Sequence, residues 1–390
     1  ARFTSTALKL INGTALEIDG TDATINGLTV GKGASSLDGN TVLGKNALDA
    51  VTSGGNDNTA IGQNSLTSNT SGTQNTAVGN DSMETNTTGV NNVAIGHTAL
   101  EGNTTGQQNI AVGNHALDSN TTGDYNIGIG HSALTGNTTA VGNVAIGRNA
   151  LDAANTASNL TAIGRNALSA NTSGGSNVAV GAYSLDANTT GAANTALGSE
   201  ALTSNTTADS NTGIGFQALQ GNTTGIDNTS VGRGSLYGNG TGSRNTAIGR
   251  DASFAIGDGS NNTAVGHDSL KNNTASNNTA VGESALEANT TGTANTSLGV
   301  FSLQNNTTAN SNTAIGRSAM VSNTTGAENV AIGSLALDAN TTASNNTAVG
   351  KDALTANTTA NNNTGIGHSA LKANTTGDAH VAVGKDALLS

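Results

Sequence analysis

A glycine preceded by an aliphatic residue recurs at a fixed interval through nearly the whole chain. It stands at Gly44, falls every seventeen residues from Gly62 to Gly266, steps sixteen to Gly282, and resumes its period to Gly384. Around it the wording repeats too, as in Asn75-Thr-Ala-Val-Gly79 and Asn92-Val-Ala-Ile-Gly96. Self-similarity at such a period limits the chain to a stack in which each unit buries its apolar residues against its neighbours. A chain of 390 residues would otherwise suggest two or three globular domains.

With the glycine set as position zero, position −1 is aliphatic in every unit, from Leu43 and Ile61 to Val383. Position −2 is Ala, Gly or Ser after the first unit, and +3 is always Ala or Ser. Position +4 is Leu or Met except at Ser253, where Phe254 follows one place later. Neighbouring strand residues face opposite ways. This pattern predicts an aliphatic −1 row pointing inward, a small −2 row pointing outward, and a +4 row forming a second inward or inter-chain stripe. Gly at zero, Asn-Thr-Thr-Gly between the apolar pairs and many β-branched residues all disfavour helix. Asn and Gly supply the conformations that corners need, and the absence of proline suits an axial hydrogen-bond ladder. The expected fold is all-β, a parallel β-solenoid of about 21 seventeen-residue coils over 41–390. At about 4.8 Å per layer the stack would run to roughly 100 Å.

Residues 1–40 read differently, as an N-terminal cap or joining module of short strands. Thr6–Ile11, Ala15–Ile18 and Ala23–Val30 alternate with period two. Asn12-Gly13, Asp19-Gly20 and Asn26-Gly27 mark tight turns between them. A formal charge of −12 argues against nucleic acid as a partner. No apolar run predicts membrane insertion, and with no cysteine there is neither a disulfide framework nor a thiolate metal site.

The pentapeptides Asn92-Val-Ala-Ile-Gly96, Asn143-Val-Ala-Ile-Gly147, Asn177-Val-Ala-Val-Gly181 and Asn329-Val-Ala-Ile-Gly333 resemble the head repeats of trimeric autotransporter adhesins, which are shorter. The longer unit with its Asn-Thr-Thr-Gly corner is more similar to repeats of bacteriophage tail-fibre proteins, as is the lead-in Ile25-Asn-Gly-Leu-Thr-Val-Gly31. The resemblance implies a left-handed β-roll, a side-by-side homotrimer and contact with a cell surface. The expected protein is a non-enzymatic phage tail-fibre shaft of the virion that supports host attachment. The alternative is a bacterial trimeric adhesin or self-assembling extracellular filament at the cell surface; the sequence shows neither a heptad stalk nor a membrane-anchor barrel. The expected partners are further copies of the chain, side by side and end to end, and a cell-surface glycan. Rows of Ala and Ser would let other backbones approach closely. An ice-binding solenoid is a weaker reading, because the repeated threonines, as at Thr87-Thr88, are adjacent rather than spaced along one strand face.

Outside those duties lie two charged rows. Position +1 holds eight of the fourteen Lys and Arg residues, among them Arg148, Arg165, Arg233 and Arg250. Position +5 is acidic at Asp49, Glu84, Glu101, Asp118, Asp152, Asp186, Glu287 and Asp338. These rows predict solvated stripes that discourage lateral aggregation. Phe216, Arg233, Tyr237, Arg250 and Phe254 fall within three coils and form the candidate surface-glycan contact, although Phe254 also reads as a substitute for the missing core Leu. Asn-Thr-Thr matches the N-glycosylation acceptor pattern, but hydrogen-bonded corner ladders explain it more simply. No catalytic motif appears, the six His show no metal-ligand spacing, and no cofactor is expected.

Overall fold

The computed structural model describes residues 22–388 apart from positions 26, 36 and 53. The alternations and turns read within residues 1–21 lie outside the described residues. The chain forms a parallel β-solenoid of about twenty turns, with no helix among the described residues. It divides into two compact units, Ala1–Ser132 and Ala133–Ser390.

In the first unit, β1 (Ala23–Ile25) and β2 (Leu28–Gly31) pair antiparallel, with Ile25 opposite Leu28. Gly27, between the two strands, has φ +82°, as a tight turn requires; Asn26 lies outside the described residues. β2 then runs antiparallel to β3 (Thr41–Gly44), and from β3 to Ile127–Ile129 each strand lies parallel on the last. In the second unit fifteen three-residue strands, Val144–Ile146 to Val381–Val383, stack in parallel. Like lies over like: Thr246 over Thr263, Ala247 over Ala264, Ile248 over Val265.

The strand faces are the reverse of those expected. The −2 residues are inside: Ala60, Ala77, Ala196 and Ala247 are fully buried. The −1 aliphatics are outside, with Leu197 46% and Ile248 42% exposed. The width of the coil explains the inversion. At Gly213, a −2 position, an added Cβ would lie 3.3 Å from the Leu202 side chain and 3.1 Å from the Ala218 carbonyl oxygen. After the first coil, where Val42 is buried at −2, the +4 Leu is the large side chain at this point of the interior, and only a small residue stands opposite it. The +3 Ala or Ser closes the same core rather than an outer face. Where −2 becomes Ser, +3 is Ser too, and the Ser230 and Ser297 hydroxyls donate across the core to the carbonyls of Ser235 and Ser302, each at 2.8 Å.

Outside the strand, the coil is held by axial bonds from residues in unusual backbone states. Every +4 residue has φ between 48° and 58°, although nearly all are Leu, a left-handed state that bulky residues seldom adopt. The ladder fixes it: Leu219 donates its N–H to the Ser235 carbonyl of the next coil at 2.9 Å. The leucine gains about 1.5–3 kcal/mol from burial, against a backbone strain of about 1–3 kcal/mol. Zero-position glycines from Gly62 to Gly384 sit at φ 126–142°. A Cβ at Gly249 would stand 2.6 Å from the Gly266 oxygen, so close stacking and backbone angle both require glycine there.

Two buried asparagine rows seal the corners. Asn306 at +7 donates to Asn289 Oδ1 (2.8 Å) and to the Ala309 carbonyl (3.1 Å), and accepts from Asn323 Nδ2 (3.0 Å). At the other seam, Asn278 Oδ1 accepts the Asn295 N–H at 3.0 Å, while its amide donates to the Gly292 carbonyl at 2.8 Å. The following Thr row adds hydroxyl bonds, as from Thr87 Oγ1 to the Thr104 carbonyl at 2.9 Å. These are the corner ladders that the Asn-Thr-Thr pattern predicts, and the Asn306 amide is fully buried. The short coil keeps its strand register (Thr263 over Thr279). The lost residue is absorbed at the corner, where Asn273 donates to Ala275 two residues on rather than three.

Candidate functional site

Recognition in a closed coil is left to what points outward, and three surfaces do. The first is the outer strand face. Thr, Val or Ile at −3 and the aliphatic at −1 share it along each unit, half-buried to exposed. Its apolar row begins on the hairpin in the first unit, where Val30 (37% exposed) lies opposite Leu43 (40%).

The second surface is formed by the charged rows. Where Asp follows a +1 cation, the two pair directly: Arg250 with Asp251 at 3.0 Å, Lys351 with Asp352 at 2.8 Å and Lys385 with Asp386 at 3.7 Å. Lys351 is the chief cause that holds the Asp352 carboxyl below its ordinary range. Arg165 lies 4.6 Å over the ring of Tyr183, a cation–π contact. Such exposed pairs stabilise little. The +5 acids depart from a plain solvated stripe. Burial pushes the carboxyls of Asp152, Asp186 and Asp338 upward, and Oδ1 of both Asp186 and Asp338 is sealed without a hydrogen bond. Glu101 is raised first by burial, then by Glu84, Asp81 and Asp118. In that same first unit His97, His115 and His131 form a column, with ring centroids 5.5 and 5.9 Å apart. Thr98 Oγ1 lies 2.8 Å from His115 Nδ1.

The third surface is the coil that breaks the repeat. Tyr237 and Phe254, both at +5, stack with centroids 4.8 Å apart and planes 4° from parallel. Phe254 does not replace the core Leu. Ser253 keeps the +4 place at φ 48°, and Ile256 fills the interior, fully buried. Phe254 instead remains half-buried at the surface with Tyr237. Phe216 (44% exposed), Arg233 and Arg250 occupy +1 on three successive coils. Of the five predicted residues, then, only Tyr237 and Phe254 form a ring contact, and Arg250 is engaged by Asp251. Gly234 is packed closely against them: a Cβ there would lie 2.6 Å from Asp251 Oδ1 and 3.4 Å from the Phe254 ring.

One grouping escapes a linear reading. Asp251, His267 and Asp268 meet across adjacent coils, each offering a donor atom within 4.8 Å of the others. The signal was present in the sequence as Asp at +2 in two successive coils, seventeen residues apart, a separation at which metal-ligand spacings are not usually sought. Comparison with known proteins finds no match among family models, curated proteins or solved structures. No helix among the described residues is long and apolar enough to cross a membrane.

Proposed function

We propose that this chain is a non-enzymatic structural fibre protein, the shaft of a homotrimeric tail fibre of phage type that serves host-surface attachment. The observation that carries the proposal is the aliphatic −1 row standing outside every coil. Fully burying an Ile is worth about 1.5–3 kcal/mol; with Ile248 42% exposed, about 0.6–1.3 kcal/mol remains to be gained there. Six of the fifteen −1 residues in the second unit are exposed as Ile248 is and the rest are half-buried, so the sum stays below about 10–20 kcal/mol, against the roughly 4–15 kcal/mol that association costs. Strand faces with their apolar rows turned towards a common axis would make three thin coils into one stiff rod. The stacked Tyr237–Phe254 pair, with Phe216, Arg233 and Arg250, is the candidate contact for a surface saccharide. Sedimentation under native conditions tests the trimer: a particle near three times 38.0 kDa is expected, and a monomer would sink it.

A second reading draws on the same face. Thr at −3 and an aliphatic at −1 share one outward surface with the spacing that Thr87-Thr88 lacks, so the objection raised against ice binding does not reach this row. A monomer showing thermal hysteresis would favour it; a trimer with none would remove it.

A further inference from the structure

We propose that Asp251, His267 and Asp268 form a divalent metal site that takes Zn²⁺ and clamps two successive coils together. The site does not depend on the fibre reading. The two aspartates are successive rungs of the +2 row, and nowhere else among the described residues does that row place Asp on Asp. Their directions are fixed by the ladder: Asp251 N–H donates to the Arg233 carbonyl at 2.9 Å and Asp268 N–H to that of Arg250 at 3.2 Å. Their side chains are only 13% and 15% exposed, whereas His267 is 43% exposed and reaches the same spot from solvent.

The spacing points to a shared cation. Asp268 Oδ1 is paired with the Lys271 ammonium at 3.1 Å, which leaves Oδ2 to face His267. His267 Nε2 lies 3.5 Å from Asp268 Oδ2. That is the separation of two ligands sharing an ion with metal–ligand bonds of about 2.0–2.2 Å in tetrahedral geometry. One imidazole with two carboxylates suits zinc better than calcium or magnesium, which favour all-oxygen sets. Arg250 and Lys271 already touch the carboxylates, but their side chains, 61% and 35% exposed, can turn into solvent when the ion enters. The position gives the clamp a role. Coil 249–265 holds Ile256 at +7 instead of Asn, so the buried amide ladder is interrupted there, and the next coil is the short one.

The test is calorimetric titration of the EDTA-treated full chain with ZnCl₂, with Co²⁺ absorption as a second readout that needs no variant. One Zn²⁺ per chain is expected. Asp251→Asn and His267→Ala should each weaken binding by at least the roughly 10–100-fold that loss of even an orienting partner costs a metal site. Lys271→Ala, which removes a competing cation, should tighten it. No uptake of either ion would overturn the proposal. So would unchanged zinc binding in both ligand variants, with binding lost instead in His115→Ala, or weaker binding in Lys271→Ala.

Discussion

Replacing Asn306 with Ala tests what holds one coil on the next. The side chain is fully buried and makes three hydrogen bonds. After truncation the Asn323 amide still donates to the Gly326 carbonyl (2.9 Å), and the Ala309 carbonyl still accepts from Asn295 (2.8 Å). Asn289 Oδ1 loses its only side-chain donor. That orphaned acceptor costs about 1–3 kcal/mol, and the two bonds whose partners remain satisfied add about 0.5–1.5 kcal/mol each. The expected loss is about 2–6 kcal/mol. Stacked repeats are stabilised by neighbours, so the loss should appear locally, as faster amide exchange in the coils on either side. At about 1.4 kcal/mol per factor of ten, exchange governed by that opening should accelerate roughly thirtyfold to twenty-thousandfold. The control is Asn305→Ala next door, whose exposed side chain should be neutral within about 0.5 kcal/mol. Equal exchange in the two variants, read by mass spectrometry, would refute the view that a buried amide column ties the layers.

Asp186→Asn and Asp338→Asn follow from carboxyls raised by burial. A raised acid disfavours folding once ionised, so the cost is present at neutral pH and disappears as pH falls below the unfolded carboxylate range. Both variants should melt higher than the parent at pH 7 and equal to it near pH 3; a lower midpoint at pH 7 would contradict the assignment. Ile248→Lys with Leu298→Lys, on the outward row, should preserve the circular dichroism of the parent while lowering the sedimenting mass. Loss of the fold instead would show that row to be internal. Ala247→Leu, one residue away but fully buried, should cost about 1–3 kcal/mol or more by overpacking, measured as a fall in melting temperature. A neutral result there would contradict the narrow core.

The period, the strand at each unit and the corner role of Asn-Thr-Thr-Gly are legible in the sequence because each rests on a local rule: a fixed interval, β-branched residues, turn formers. The sidedness of the strand is not, and the reason is geometric. Alternation says that Ala247 and Ile248 face opposite ways; it does not say which way is in. The usual assumption, larger inward, holds where a core has room for large residues on both walls. Here Leu at +4 already fills the layer, as the 3.3 Å approach at Gly213 shows, and the small residue must take the inner place. A sequence cue did exist. Both coils with Ser at −2 also carry Ser at +3, Ser230 with Ser235 and Ser297 with Ser302, as two residues bonded across one core would. The left-handed leucines are a further blind spot, since propensity treats Leu as a poor candidate for positive φ and only the axial bond of the next coil makes it tolerable. The same logic applies to the site. Asp251 and Asp268 look like unrelated surface acids until the period is read as a distance; at one coil apart they become neighbours. In a chain of this kind, what a residue touches is written seventeen places away, and recognition is to be sought by reading the sequence in columns.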